Sequence, residues 1–315
     1  MNREEERLLY KVAKLYYEDD RTQKEIADET GIYRTTVGRM LKKAQKEGIV
    51  KIEIHSAFRE QFQLEETIAS HFGMKEVIIV SEDQAHKGVL IACHNLLDRI
   101  IKDEDVVGLS WGESIGNLTN MATDLSPKNI TCVPLVGGAG KMDVDFHVNA
   151  IAYEFARAFK GTHQFIDAVA IYESIETAEE IIHSDFMHKV IEMWDKLTVA
   201  IVGIGTPTSS SNMVWSGFLG ETEQIELQKH HAIGDILSRF YTVKGEVIDS
   251  PIAKRTIAIQ LEKLRGIRYS IGVAYTKEKA EAIVGAMRGK FINTLVTTEE
   301  TALEINKIIE RKGGL

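Results

Sequence analysis

Apolar residues open the chain at helical spacing. Leu8, Leu9, Val12, Leu15 and Tyr16 fall on one side of a first helix, with charged residues on the other. A second helix is predicted to start after Thr22, whose hydroxyl can cap it, and Glu25 completes a capping box. Ile26 and Ala27 point inward, and the small Ala27 lets a following helix cross closely. Gly31 supplies a turn that needs left-handed backbone. Ile32, Val37, Met40 and Leu41 form the buried side of a third helix, which leaves Tyr33, Arg34, Thr35, Thr36 and Arg39 outward. Gly48 ends that helix, and residues 50–54 (VKIEI) alternate as a strand does, as in a winged variant.

After His55 the pattern changes. Residues 56–72 read as a connector and a helix with Phe62, Leu64, Ile68, Ala69 and Phe72 on its apolar side. Short, nearly continuous apolar runs follow at 77–80, 105–109, 131–136, 198–204, 269–273 and 294–297. Helical segments at 87–101, 114–123, 145–159, 277–287 and 299–310 separate them. Strands apolar on both faces with helices between imply a parallel sheet covered on both sides. The expected fold is therefore α/β, with a helix-turn-helix domain over 1–55 and a larger Rossmann-like parallel-sheet domain over 56–315.

Charge separates the two parts. The first 54 residues carry 12 Lys and Arg against 11 Asp and Glu, whereas the rest carry 26 against 36. No acidic residue lies between Ile32 and Lys46. A basic helix face on an otherwise acidic chain is a local footprint for DNA. Thr22, Gln23, Tyr33, Arg34, Thr35, Thr36, Arg39, Lys42 and Lys43 are the candidate DNA contacts. One small reader touches few base pairs, so a dimer or tetramer reading two half-sites on double-stranded operator DNA is expected.

Other classes are disfavoured. The charged N-terminus and the lack of an apolar run near 18 residues predict no signal peptide and no membrane span, hence a cytoplasmic protein. Cys93 and Cys132 sit in apolar contexts and read as buried free thiols. The histidines are scattered, and no metal site is expected.

Each predicted strand–helix junction is rich in small residues: 109–117 (LSWGESIGN), 134–140 (PLVGGAG), 202–211 (VGIGTPTSSS) and 275–279 (YTKEK). Glycines let backbone N–H groups approach an anion, and a helix N-terminus adds favourable field. Four such loops in one sheet, with Lys279, suggest a pocket for a small anionic metabolite. None is a nucleotide fingerprint: GIGTPT lacks the third glycine, and VGGAGK lacks the spacing and the Ser or Thr of a phosphate loop, which leaves Lys141 as a solvated side chain.

TQKEIADETGIYRTTVGRMLKKAQKEGIV at the start, followed in order by VGLSWGESI, VPLVGGAG, VNAIAYEFA, VGIGTP, HAIGDILSRFYTVKGEVI and IGVAYTKEKAEAIVGAMRGKFINTLVTTEETA, resembles the SorC family of transcriptional regulators over essentially the whole length. The resemblance implies an effector domain similar in fold to sugar-phosphate isomerases and deaminases, binding a phosphorylated sugar that alters DNA affinity. It implies effector contacts from Gly112, Glu113 and Ser114, from Gly137 and Gly138, from His147 and Asn149, and from Gly203, Gly205 and Thr206. Asp235 would accept hydrogen bonds from sugar hydroxyls, and Lys279 would pair with the phosphate.

Three positions depart from the family pattern. Glu113 stands where relatives often carry Thr, so either it points away or a hydroxyl-rich end of the ligand lies there. Val136 replaces a basic residue found in some relatives, which disfavours a bisphosphate or an open-chain aldehyde. Gly38 replaces the usual Ser, at roughly 1 kcal/mol of helix propensity relative to Ala, and opens room for close approach of DNA. Blander roles are also open: Trp111 as a wall of pocket or core, Asp235 as the cap of a helix over 236–240, Lys279 as a surface charge, and Trp194 and Trp215 as core or interface.

The expected function is a sugar-responsive repressor with no catalytic residues and no cofactor beyond its effector. The rival is a sugar-phosphate isomerase-like enzyme fused to a DNA reader, with Glu113 and Asp235 as acid and base. A DNA-bound structural protein with a vestigial pocket is the third reading.

Overall fold

A computed structural model describes residues 3–53, 58–81, 85–122, 125–126, 128–139, 144–207 and 220–312. The chain divides into two compact units, Met1–Arg59 and Glu60–Leu315.

The first unit is three helices, α1 (Arg3–Tyr17), α2 (Gln23–Thr30) and α3 (Arg34–Lys46). Leu9, Val12, Ile26, Val37 and Leu41 are buried between them, while Leu8 turns outward. The capping box forms: the Thr22 hydroxyl accepts from the Glu25 N–H at 3.3 Å, and the Glu25 carboxylate accepts from the Thr22 N–H at 2.8 Å. Gly31 sits at φ +72°, and its N–H closes α2 on the Ala27 carbonyl. The strand expected over 50–54 is not found: 50–53 form no strand, and Ile54 lies outside the described residues. A strand needs a partner, and the described part of this unit offers none; the Val50 N–H bonds back to the Ala44 carbonyl instead.

The second unit begins with α4 (Arg59–Phe72) and is built on seven strands. These are β1 (Glu76–Val80), β2 (Val106–Leu109), β3 (Thr131–Pro134), β4 (Thr162–His163), β5 (Val199–Gly203), β8 (Tyr269–Val273) and β9 (Thr294–Thr298). All pair in parallel, in the order β1-β9-β8-β5-β2-β3-β4. Side chains alternate between two cores. On β5, Ala200 and Val202 face one core, and Val199 and Ile201 face the other. That is why the strands read as unbroken apolar runs.

Helices α5 (Ala85–Ile100), α6 (Glu113–Met121) and α7 (Val148–Phe159) link the first strands, and α13 (Ala280–Arg288) and α14 (Glu299–Lys312) frame β9. The helix expected over 145–159 breaks at His147, because its ring Nδ1 caps α7. Helices α8 (Ile175–Ile182), α9 (Asp185–Trp194) and α10 (Glu221–Lys229), with the single turns α11 (Pro251–Lys254) and α12 (Leu261–Leu264), had not been expected. Trp194 is core, donating its indole N–H to the Pro134 carbonyl at 2.8 Å, whereas Trp215 lies outside the described residues.

One expected helix is something else. Residues 236–240 belong to a hairpin of β6 (Gly234–Ile236) and β7 (Arg239–Tyr241), joined by Leu237 and Ser238 alone. Both turn residues are left-handed, at φ +57° and +60°. This is the geometry of a type I′ turn, normally made with Asn or Gly. Asp235 therefore sits on a strand and caps no helix. Arg239 anchors the hairpin by donating to the carbonyls of Ile259 (2.8 Å), Ala258 (2.7 Å) and Ala253 (3.4 Å).

Candidate effector site and DNA-reading face

The strand order reverses beside β2. From β2 the chain steps to β3 and β4 on one side, and from β5 to β8 and β9 on the other. Ligands of open parallel sheets bind outside the carboxyl ends of the strands at such a switch point. A cavity of about 590 Å³ lies there, between the loops that follow β2, β5 and β8 and the tip of the β6–β7 hairpin.

Each wall has a local cause. After β2, the Ser110 hydroxyl oxygen accepts from the Gly203 N–H at 3.1 Å, tying the β2 and β5 loops together. Gly112, at φ +118°, turns the chain into α6, where its position offers no side-chain cap. The first N–H groups of α6 thus begin at the cavity without a capping side chain, which favours an anion. After β5, Gly205 forms a two-way backbone bridge with Asp235 (2.9 and 3.0 Å). A Cβ on Gly205 would lie 2.1 Å from Asp235 Oδ1, so only glycine lets this carboxylate sit against the loop.

The electrostatics follow from burial. The Asp235 carboxyl is pushed up to about 6 by burial, against the pull of Lys279 and an N–H from Ser238. Lys279 is drawn below the usual lysine range by burial, opposed by Asp235 and Glu113. Glu113 is exposed, so it stands at the mouth of the cavity. Among the described lining residues one cation, Lys279, thus faces three acids, Glu113, Asp235 and Glu278, of which only Asp235 is buried.

Of the effector contacts expected from sequence, Gly112, Glu113, Ser114, Gly203, Gly205, Thr206, Asp235 and Lys279 all line this cavity. Gly137, Gly138, His147 and Asn149 are not among its lining residues. The N–H groups of Gly137 and Gly138 are committed to the carbonyls of Ile257 and Ala168, both at 2.8 Å. A Cβ on Gly138 would lie 2.3 Å from His147 Nε2, so the imidazole packs on that glycine. The Asn149 amide is taken up by both backbone groups of Ile166. Lys141 and residues 208–211 lie outside the described residues.

Trp111, Leu237, Ser238 and Tyr275 line the cavity without having been predicted as contacts. The Tyr275 hydroxyl accepts from Ser114 Oγ at 3.1 Å and meets His86 Nε2 at 2.9 Å, and the His86 ring stacks on it. Tyr275 was visible at the head of YTKEK, whereas nothing local to His86 pointed to the site.

In the first unit, Tyr33, Arg34, Thr35, Arg39 and Lys42 are exposed, and Tyr33 keeps 85% of its surface. Thr36 is half-buried, and Thr22 is engaged in the capping box. Gln23 lies over Gly38, its Oε1 3.3 Å from where a Cβ would stand. Gly38 thus makes room for a side chain of α2. Lys43 is ion-paired with Glu5 of α1 and is turned toward that helix.

Known proteins agree with this layout. A family described as a sugar-binding domain matches residues 56–306, and one described as a winged helix-turn-helix DNA-binding domain matches 15–51. The sorbitol operon regulator of Klebsiella pneumoniae is 38% identical over 308 residues, covering 96% of this chain and 98% of that one. The deoxyribonucleoside regulator of Bacillus subtilis is 29% identical over 310 residues, with coverage of 96% and 98%. The crystal structure of the full-length Klebsiella regulator superposes with a TM-score of 0.75 at 37% identity, covering 96% of this chain and 99% of that one. These relatives are transcriptional regulators, which removes the enzyme reading. The chain belongs to the SorC family of sugar-responsive, DNA-binding transcriptional regulators.

Proposed function

We propose that this protein is a repressor whose affinity for operator DNA is altered by a phosphorylated sugar bound at the switch-point cavity. The observation that carries this reading is the meeting of an uncapped helix N-terminus and one half-buried lysine in a single cavity. A phosphate suits the N–H groups of α6 and the ammonium of Lys279, whereas hydroxyls suit the buried Asp235 carboxyl. With three acids against one cation along the cavity, the ligand carries one phosphate.

The reader binds as part of a dimer or tetramer, so that two copies of α3 meet two half-sites about one helical turn apart or a multiple of that. A ligand that prefers one arrangement of the assembly shifts the population toward it. Coupling of about 1–3 kcal/mol changes operator affinity roughly 5- to 150-fold.

Thermal unfolding of the whole chain against a panel of sugars and their monophosphates tests the ligand class. At about 100 times its dissociation constant, the effector adds roughly 2.7 kcal/mol of stability. Stabilisation by one phosphorylated sugar and not by its free form is expected. Stabilisation by the free polyol alone would overturn the phosphate, and operator affinity unmoved by every ligand that binds would overturn the regulation.

A further inference from the structure

Two side chains on the cavity wall carry polar atoms that the fold leaves unsatisfied. The Ser238 hydroxyl, on a residue with no exposed surface, has no hydrogen-bond partner, and neither has the shielded Trp111 indole N–H. Buried polar groups are paired in the great majority of cases, and each exception calls for a cause. Both residues line the same cavity. The fold could have avoided each orphan at little expense, with Phe in place of Trp111 or Gly in place of Ser238. Gly would also have suited the left-handed backbone at Ser238 far better. A hydroxyl kept where glycine fits best, beside an indole N–H kept without an acceptor, points to a partner that arrives from the cavity.

We infer that Ser238 Oγ and Trp111 Nε1 are the groups that read the hydroxyl-bearing end of the effector and select which sugar phosphate binds. This rests on the effector reading above and adds to it the residues that set specificity. The chemistry defines the ligand end. An indole N–H only donates, so it needs an acceptor oxygen. A serine hydroxyl donates or accepts. The Asp235 carboxyl lies next to them on the same hairpin, its carboxylate receiving the Ser238 N–H. A polyol or sugar-ring hydroxyl can give to one of these groups while it takes from another. A second phosphate brings acceptors only and meets the acids Asp235 and Glu113. The site therefore discriminates by hydroxyls at one end and by a single phosphate at the other. A site built to pair a substrate hydroxyl rejects analogues that lack it, because its own buried groups are then left unpaired.

Isothermal titration of the full-length protein, its Ser238→Ala variant and its Trp111→Phe variant tests this. The probes are pentose, hexose and alditol monophosphates, single-deoxy analogues of whichever binds, and inorganic phosphate. Each variant is expected to weaken the bound sugar phosphate by about 3- to 10-fold and to leave inorganic phosphate unchanged. In the wild type, one deoxy analogue binds more weakly than its parent, and in Ser238→Ala or Trp111→Phe that difference shrinks. If the wild type binds no sugar phosphate at all, the effector reading falls. If it binds one, and both variants bind it as tightly as the wild type, the inference alone falls. Equal weakening of sugar phosphate and inorganic phosphate would also overturn it, since that marks damage to the site as a whole. Should a variant not fold, the deoxy series on the wild type decides: indifference to every hydroxyl overturns the inference.

Discussion

Asp235 shows how one buried carboxyl is held and what holding it costs. It rests on Gly205, whose missing Cβ is the space the carboxylate occupies. Gly205→Ala should displace the carboxylate and abolish effector binding by calorimetry, while a gel shift shows the operator bound as before. Burial raises the Asp235 carboxyl from 3.8 to about 6. The folded chain thus holds that proton more tightly than the unfolded one. The resulting stabilisation is complete below about 3.8 and is lost as pH rises through about 6. Asp235→Asn should accordingly gain on the wild type by roughly 3 kcal/mol across this window, read from denaturant unfolding at several pH values. A difference independent of pH would mean that the group does not titrate there. The thiols of Cys93 and Cys132 are both buried and free, and burial pushes Cys93 up to about 12 and Cys132 higher still. A thiol reagent should label neither until the chain unfolds.

At the scale of elements, what was legible followed from repetition. Strands buried on both faces and helices with one apolar stripe announce themselves over many residues, and the six expected strand runs all became strands of the parallel sheet. The β6–β7 hairpin was not legible. Ile236, Leu237 and Phe240 mimic helical spacing, and a type I′ turn of Leu and Ser carries none of the usual Asn or Gly signal. The two-residue β4 is too short to show a period. In the site, the loop glycines, Asp235 and Lys279 stood in recognisable segments. Trp111 was legible as a wall of pocket or core, but its polar role, like that of Ser238, emerged only through the absence of partners, which no sequence displays. The reader helix yields two expectations. Gly38→Ala should stabilise α3 by about 1 kcal/mol in thermal unfolding, since the nearest atom to the new methyl is the flexible end of Gln23. Lys42→Ala should reduce the salt slope of operator binding by about 1, whereas Lys43→Ala should change it less, because Lys43 is already paired with Glu5. Equal slopes for the two variants would place both lysines on phosphates.

The whole molecule joins a locally basic reader to an acidic body, with a net charge of −9. Regulation then obeys reciprocity: whatever factor the effector applies to operator affinity, the operator must apply to effector affinity. Titrating the effector into free protein and into protein saturated with a selected duplex measures this directly, and unequal factors would exclude a simple two-state linkage. The hairpin adds a consequence for how such a molecule can be retuned. At its tip Leu237 packs into the core that also holds Ala200 and Val202, whereas the Ser238 side chain belongs to neither core, so selection can rewrite position 238 without repacking either. Ser in left-handed backbone at 238 leaves a reserve of about 1–3 kcal/mol that Asn or Gly would release. A library varied at position 238 should therefore yield proteins more heat-resistant than the parent and newly responsive to other sugars, an evolutionary path on which ligand choice drifts while the scaffold stays put.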